Sequence, residues 1–159
     1  MENRKIVVLE NVRLLFKNFR GEARQFNNAG DRNFNAAVSR EQADALRGYG
    51  FRVKELVPKD DFDSEPTYTL KVKVSYRYSE PKVVMIAGRT KRLLSEETID
   101  ELDYADIQSA DLTIKPSYWS QPNGDSGVTA YLNSMYVTLV EDPLAEKYAE
   151  QTMMEEAPF

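Results

Sequence analysis

The sequence predicts a mostly β fold, an antiparallel barrel with two or three short helical insertions and a flexible acidic C-terminal tail. Three observations carry that expectation. Residues Thr67–Tyr78 alternate strictly: Tyr68, Leu70, Val72, Val74, Tyr76 and Tyr78 share one face, and Thr69, Lys71, Lys73, Ser75 and Arg77 share the other. That is the period of a half-buried strand. Asp111–Tyr118 and Val128–Val140 alternate in the same way, joined by a run of turn residues, Ser120–Gly127, that contains Asn123-Gly124. Asn-Gly suits a hairpin turn needing positive φ. Finally, roughly six or seven strand-like segments occur with no regular strand–helix alternation, which argues against a parallel sheet wrapped in helices.

The elements follow in order. Lys5–Phe16 is apolar and β-branched (Ile6, Val7, Val8, Val12, Leu14) and reads as a first strand. The stretch from Lys17 to Asp31, rich in Gly and Asn, is a loop. Asn33–Val38 is a second strand. Ser39 then caps a helix over Arg40–Gly48, with Gln42 at the third helical position as in a capping box. Phe51–Leu56 alternates as a short strand, and Pro58 to Pro66 is an acidic loop. Lys82–Ala87 is a strand broken by Gly88 and continued by Thr90–Leu94. Ser95 caps a short acidic helix, Glu96–Leu102, and Pro143–Gln151 forms a last helix. An OB-type barrel, a fold that binds oligonucleotides on one sheet face and two loops, is the leading candidate, although an unrelated β-sandwich would give nearly the same pattern. Residues 1–142 are expected to form that domain, and 143–159 the acidic helix and tail.

Composition narrows the chemistry. The 159 residues contain no cysteine and no histidine. Disulfides, thiolate or imidazole zinc sites and Ser-His or Cys-His nucleophile pairs are thereby excluded. Neither a cofactor nor a metal site is expected, and the chain is not expected to be an enzyme. Asp60–Glu65 lacks the glycine and distant glutamate of a calcium loop, and Gly88–Arg92 lacks phosphate-loop spacing. No apolar stretch reaches the roughly 20 residues that span a bilayer. With no signal-peptide pattern at Met1–Lys5, a soluble protein without membrane contact, in the cytoplasm, is expected.

The net charge of −5 conceals a sorted distribution. Residues 141–159 hold six acids and one base, so residues 1–140 are electrically balanced. Within that body, residues 4–54 carry eleven Lys/Arg against five acids, and residues 71–92 carry seven against Glu80 alone. Sorting of this kind permits a basic groove on an acidic protein.

The basic segments are interleaved with aromatics. Phe19-Arg20, Arg24-Gln25-Phe26 and Arg32-Asn33-Phe34 pair a cation with a ring, and Lys71, Lys73 and Arg77 lie on a strand bearing Tyr76 and Tyr78. Lys115, Tyr118 and Trp119 stand where a strand enters the hairpin loop. Single-strand binding needs both groups: cations hold phosphates, and rings stack on bases at about 1–3 kcal/mol each whatever the base. On these grounds Arg20, Arg24, Arg32, Lys71, Lys73, Arg77, Arg89, Lys91 and Lys115 are the candidate phosphate contacts. Phe19, Phe26, Tyr118 and Trp119 are the candidate stacking rings. Tyr68 and Tyr76 share a face with Leu70, Val72 and Val74 and are expected in the core, as is Phe16 at the end of the first strand.

The C-terminus, Glu155-Glu156-Ala157-Pro158-Phe159, offers acids, an aromatic ring and a free carboxylate. Such a peptide can seat its ring in an apolar pocket while a basic rim holds the carboxylates. It resembles the acidic tip of bacterial single-stranded-DNA-binding proteins, which ends in several acids, a short apolar residue, Pro and Phe. The segment Gly30–Phe34, the Ser39–Gly50 helix and the Ala110–Trp119 strand resemble bacteriophage single-stranded-DNA-binding proteins found with replication and recombination genes. The resemblance implies an OB-fold single-strand binder in the host cytoplasm, acting as a homodimer or higher oligomer. Glu155, Glu156, Pro158 and Phe159 would recruit replication or recombination proteins, and without DNA the tail would rest on the basic groove. The rival expectation is a phage module that inhibits a host nuclease or defence protein, presenting the acids of Glu96–Asp111 as a mimic of DNA. A carboxylate-metal nuclease using Asp61 or Asp63 is a more distant third.

Overall fold

A strand that alternates apolar and charged residues can wall a core on one side and meet water on the other. In the computed structural model, which describes residues 6–57, 65–77 and 79–140, eight such strands build one sheet. They are β1 (Val7–Asn18), β2 (Arg32–Val38), β3 (Val53–Leu56), β4 (Thr67–Val74), β5 (Lys82–Ala87), β6 (Thr90–Leu94), β7 (Ile107–Ser120) and β8 (Ser126–Leu139). A helix, α1 (Arg40–Gly48), lies between β2 and β3, and a 3-10 helix (Ile99–Asp103) precedes β7. No helix among these residues is long and apolar enough to cross a membrane.

The sheet runs β3-β4-β2-β1-β7-β8-β5-β6, with a further pairing of β4 to β8. That pairing closes β1, β2, β4, β8 and β7 into a five-stranded ring, the OB arrangement. The barrel is mostly antiparallel, as expected, with two parallel pairings. β4 meets β8 in parallel through Val72↔Ala130 and Lys73↔Tyr131, and β5 also runs parallel to β8. The physical reason is edge-sharing. β8 is 14 residues long, so one of its edges serves β4 near Ala130 and β5 from Ser134 onward. β3 extends the sheet along the remaining edge of β4.

Inside the ring lie Leu9, Val12, Phe34, Ala36, Leu70, Val72, Leu112, Ile114, Leu132 and Met135, all buried. Removing a side chain of this size from water contributes about 1.5–3 kcal/mol. Ala43 and Leu46 on α1 add to the same core. The capping box at the start of α1 is formed: the Gln42 amide nitrogen of the backbone donates to Ser39 Oγ at 3.1 Å, and the Ser39 backbone N–H to Gln42 Oε1 at 2.8 Å. Gly50, at φ +98°, turns the chain after it.

The acidic helix predicted over Glu96–Leu102 is instead the shorter 3-10 helix Ile99–Asp103. β-branched Thr98 and Ile99 disfavour an α-helix. A 3-10 turn eclipses residues three apart, so Ile99 and Leu102 enter the core together, both fully buried. The strand predicted to reach Tyr78 ends at Val74. The predicted helix Pro143–Gln151 and the tip residues Glu155, Glu156, Pro158 and Phe159 lie outside the described residues, as do Asp61, Asp63 and Tyr78.

Candidate nucleic-acid interface

The outer face of β4 is set by its alternation. Leu70, Val72 and Val74 point into the barrel, so Lys71 and Lys73 stand out from it. Cross-strand pairing brings Asn35 beside Lys71 and Asn33 beside Lys73 from β2. Tyr131 of β8 comes beside Lys73 from the other edge. Lys54 of β3 pairs with Thr69, one step along the same face.

Residues 19–31 arch over this face and are held by hydrogen bonds. The buried Asn18 side chain receives the Glu22 backbone N–H at 2.8 Å and donates to the Glu22 carbonyl at 3.1 Å. Asn27 Nδ2 donates to the carbonyls of Glu22 and Asp31, and Asn33 Nδ2 donates to Asn27 Oδ1 at 2.8 Å. Gly30 N–H donates to the Gly21 carbonyl at 2.8 Å. Gly21 sits at φ +73°, a backbone that favours glycine, and a Cβ there would lie 3.1 Å from the Gly30 backbone, a tight approach. The arch carries Phe26, 89% exposed, which lines the same clefts as Lys71 and Lys73.

Between arch and sheet run two adjoining clefts, of about 550 and 650 Å³, which share Phe26, Asn27, Asn33, Lys71 and Lys73. The first is lined by Arg24, Arg52, Lys54, Lys71 and Lys73 with no acid among its lining residues. The second adds Arg32 and Arg77 but also Asp31 and Glu96. Arg32 Nη1 lies 3.5 Å from Glu96 Oε1, and its guanidinium sits 5.4 Å from the centre of the Tyr76 ring. Burial pushes the Tyr76 hydroxyl up to about 12, partly offset by the positive charge of Arg32. Flexible cations and flat rings in one groove suit a polyanion with unstacked bases.

The structure brings together Arg24, Phe26, Arg32, Lys71, Lys73 and Arg77 from the residues the sequence proposes. Trp119 extends the same face. Lys115 pairs with Tyr131 and Ser117 with Thr129, so alternation carries Trp119, 42% exposed, to that outer side of the hairpin. Its ring covers Gly127, where a Cβ would come within 2.6 Å of Cζ2. Lys115 Nζ donates to Ser79 Oγ at 3.3 Å. Tyr118 pairs with Val128 on the opposite face. Adjacent strand residues cannot both stack on one DNA strand across one face, so Tyr118 does not share the surface of Trp119.

Phe19 is corrected outright. It is 0% exposed and stacks on Phe34 with ring centres 5.2 Å apart. Its backbone N–H and that of Arg20 donate to the two oxygens of Asp103, each at 2.8 Å. That clamp pulls the ring into the core and turns Arg20 toward Tyr104, whose hydroxyl its Nη1 meets at 3.1 Å. Arg20 therefore lies outside both clefts. Arg89 and Lys91 sit on the β5–β6 hairpin, beyond β8, and line neither cleft. The acids of Glu96–Asp111 are partly engaged by the protein itself: Glu96 faces Arg32, Glu101 bonds Arg92, Asp103 clamps β1, and Asp111 accepts the Asn11 N–H.

Sequence reasoning missed Arg52, Lys54 and Tyr131, which come to this face through the pairing of β3 and β8 with β4. It also placed Phe16 in the core, whereas Phe16 is 62% exposed and lines the first cleft beside Phe26. The cause is a β-bulge. Leu15 pairs with Asn35 and Asn18 with Asn33, so Phe16 and Lys17 together oppose Phe34 and the alternation slips by one residue.

The fold is similar to two solved structures of the single-stranded DNA-binding protein from bacteriophage Enc34. One, in complex with ssDNA, superposes with a TM-score of 0.55 at 12% identity, over 87% of this chain and 88% of that one. The other has a TM-score of 0.51 at 12% identity, over 95% of this chain and 90% of that one. At that identity the likeness concerns the fold. No curated protein matches the sequence. The family model described as "Putative phage ssDNA-binding domain" matches residues 2–158, and the chain belongs to that family.

Proposed function

We propose that this chain binds single-stranded DNA without regard to sequence, in phage replication and recombination, along the clefts above β2, β4 and β8. The carrying observation is the outward pair Lys71 and Lys73, shared by two adjoining clefts of which the first is lined by five cations and no acid, with exposed Phe26 lining both. This groove lies on the face that OB barrels use for oligonucleotides, between the loop joining the first two barrel strands and the last hairpin. Arg24, Arg52, Lys54, Lys71, Lys73 and Arg77 contact phosphates, with Lys115 at the far margin. Phe26 and Trp119 stack on bases. Stacking needs a base released from its duplex, so the rings favour single strands, and it accepts any sequence because every base has a π-face. The test is titration with oligo-dT and with a duplex of equal length, read by Trp119 fluorescence. Quenching by the single strand, with weak response to the duplex, supports the reading; no response to oligo-dT refutes it.

The acidic tip has a separate task in this reading. Glu155, Glu156, Pro158 and Phe159 dock on replication or recombination proteins through a pocket for the ring and a basic rim for the acids. Without DNA the tail rests on the basic groove, and it competes there with the phosphates of incoming DNA. The protein acts as a homodimer or higher oligomer in the host cytoplasm, without a catalytic step. Loss of co-purifying replication proteins on removing residues 154–159, and sedimentation of the purified chain, check these statements.

A further inference from the structure

Among the described residues, two other than glycine have left-handed backbone, Asn11 at φ +55° and Phe16 at φ +51°, and each lies in a bulge of β1. Asn11 fits its position. Asparagine tolerates this region, and its N–H donates to Asp111 Oδ1 at 2.8 Å. Phe16 does not fit, because a bulky side chain at positive φ is sterically opposed and glycine is the residue such bulges favour. Burial of the ring cannot compensate, since it is 62% exposed.

We propose that Phe16 is a base-stacking residue, retained at a strained position because the bulge aims its ring into the DNA cleft. Lining the first cleft with it are Phe26, from the arch, and Asn35 and Lys71, from the sheet. A base entering there meets two exposed rings, while Lys71 and Arg24 hold the flanking phosphates. Backbone strain collects at functional sites, where it is tolerated for what it positions. The bulge also sends Lys17 away from the cleft, where its Nζ donates to the carbonyls of Leu102 and Ala105 at 2.8 and 3.0 Å. The bulge thus sorts adjacent residues, the cation to the fold and the ring to the groove.

The inference rests on the single-strand-binding reading, and its test separates the two. Full-length wild type, Phe16→Gly and Phe16→Trp are titrated with oligo-dT and melted in parallel. Glycine relieves the backbone, so Phe16→Gly should melt at or above the wild-type temperature, by up to about 4 °C. It should also bind about 5- to 150-fold more weakly, the loss of one stacked base. Phe16→Trp should bind within about threefold of wild type. If Phe16→Gly binds as wild type does, the inference fails while the cleft reading stands. If Phe16→Gly melts well below wild type and Phe16→Trp loses affinity as well, the ring is structural and the inference is overturned. If wild type itself does not bind, both readings fall.

Discussion

Replacing Lys71 and Lys73 together by alanine should cut affinity for single-stranded DNA by an amount that salt sets. Both side chains project from β4 into the shared centre of the two clefts, and neither contributes to the core. A protein cation that neutralises one phosphate of a single strand contributes a slope of about −0.7 to log affinity against log salt. Losing two such contacts flattens the slope by about 1.4, a loss of about 25-fold at 0.1 M salt but only about threefold at 0.5 M. The fold should tolerate the change, since exposed strand positions cost about 0.5 kcal/mol or less each. The assay is fluorescence titration with oligo-dT at several salt concentrations, with thermal melts as control. Equal losses at low and high salt would refute the reasoning, because the lysines would not then be acting on phosphates. No loss at all would remove the cleft from the DNA path.

Three further outcomes are expected. Gly127→Val should displace the Trp119 ring from its seat on the hairpin, shifting the fluorescence toward that of solvent-exposed tryptophan and destabilising by about 1–2 kcal/mol. Tyr76→Phe should leave the melting temperature unchanged or raised, because the buried hydroxyl has no hydrogen-bond partner among the described residues. In the wild type that hydroxyl is held neutral by burial, with its pKa raised from 10.0 to about 12. This group therefore does not penalise the folded state below pH 10, and stability falls as pH rises toward 12, seen as a lower melting temperature alongside phenolate absorbance. Removing residues 154–159 should raise affinity for oligo-dT most at low salt, where screening of the acidic tail is weakest; equal affinities at low salt would remove the tail from the groove.

Local patterns in the sequence specify local structure, and that part was legible. Strict alternation defines β4, the Ser39–Gln42 pair defines the start of α1, and Asn123-Gly124 defines the last hairpin, with Gly124 at φ +95°. Interactions over long separations were not legible. The parallel closure of β4 on β8 joins residues far apart in the chain, and no local signal marks it. Phe19 sits in a polar stretch, and only Asp103, 84 residues later, draws it inward. Phe16 was misplaced because a bulge inverts the alternation from which its side was read. Tyr118 and Trp119 are neighbours in sequence and were paired in function, but a strand turns adjacent side chains to opposite faces. Arg52 and Lys54 reach the cleft because the short β3 pairs with β4, which a segment read in isolation does not reveal.

The proposed binding mode lays DNA phosphates along the acid-free cleft of Arg24, Arg52, Lys54, Lys71 and Lys73, with Arg77 beyond it. The most direct test is the salt dependence of oligo-dT affinity for the wild-type chain, read by Trp119 quenching. The six phosphate contacts proposed on a single strand predict a log–log slope of about −4.2. Absence of quenching, or an affinity that does not change with salt, would contradict the account.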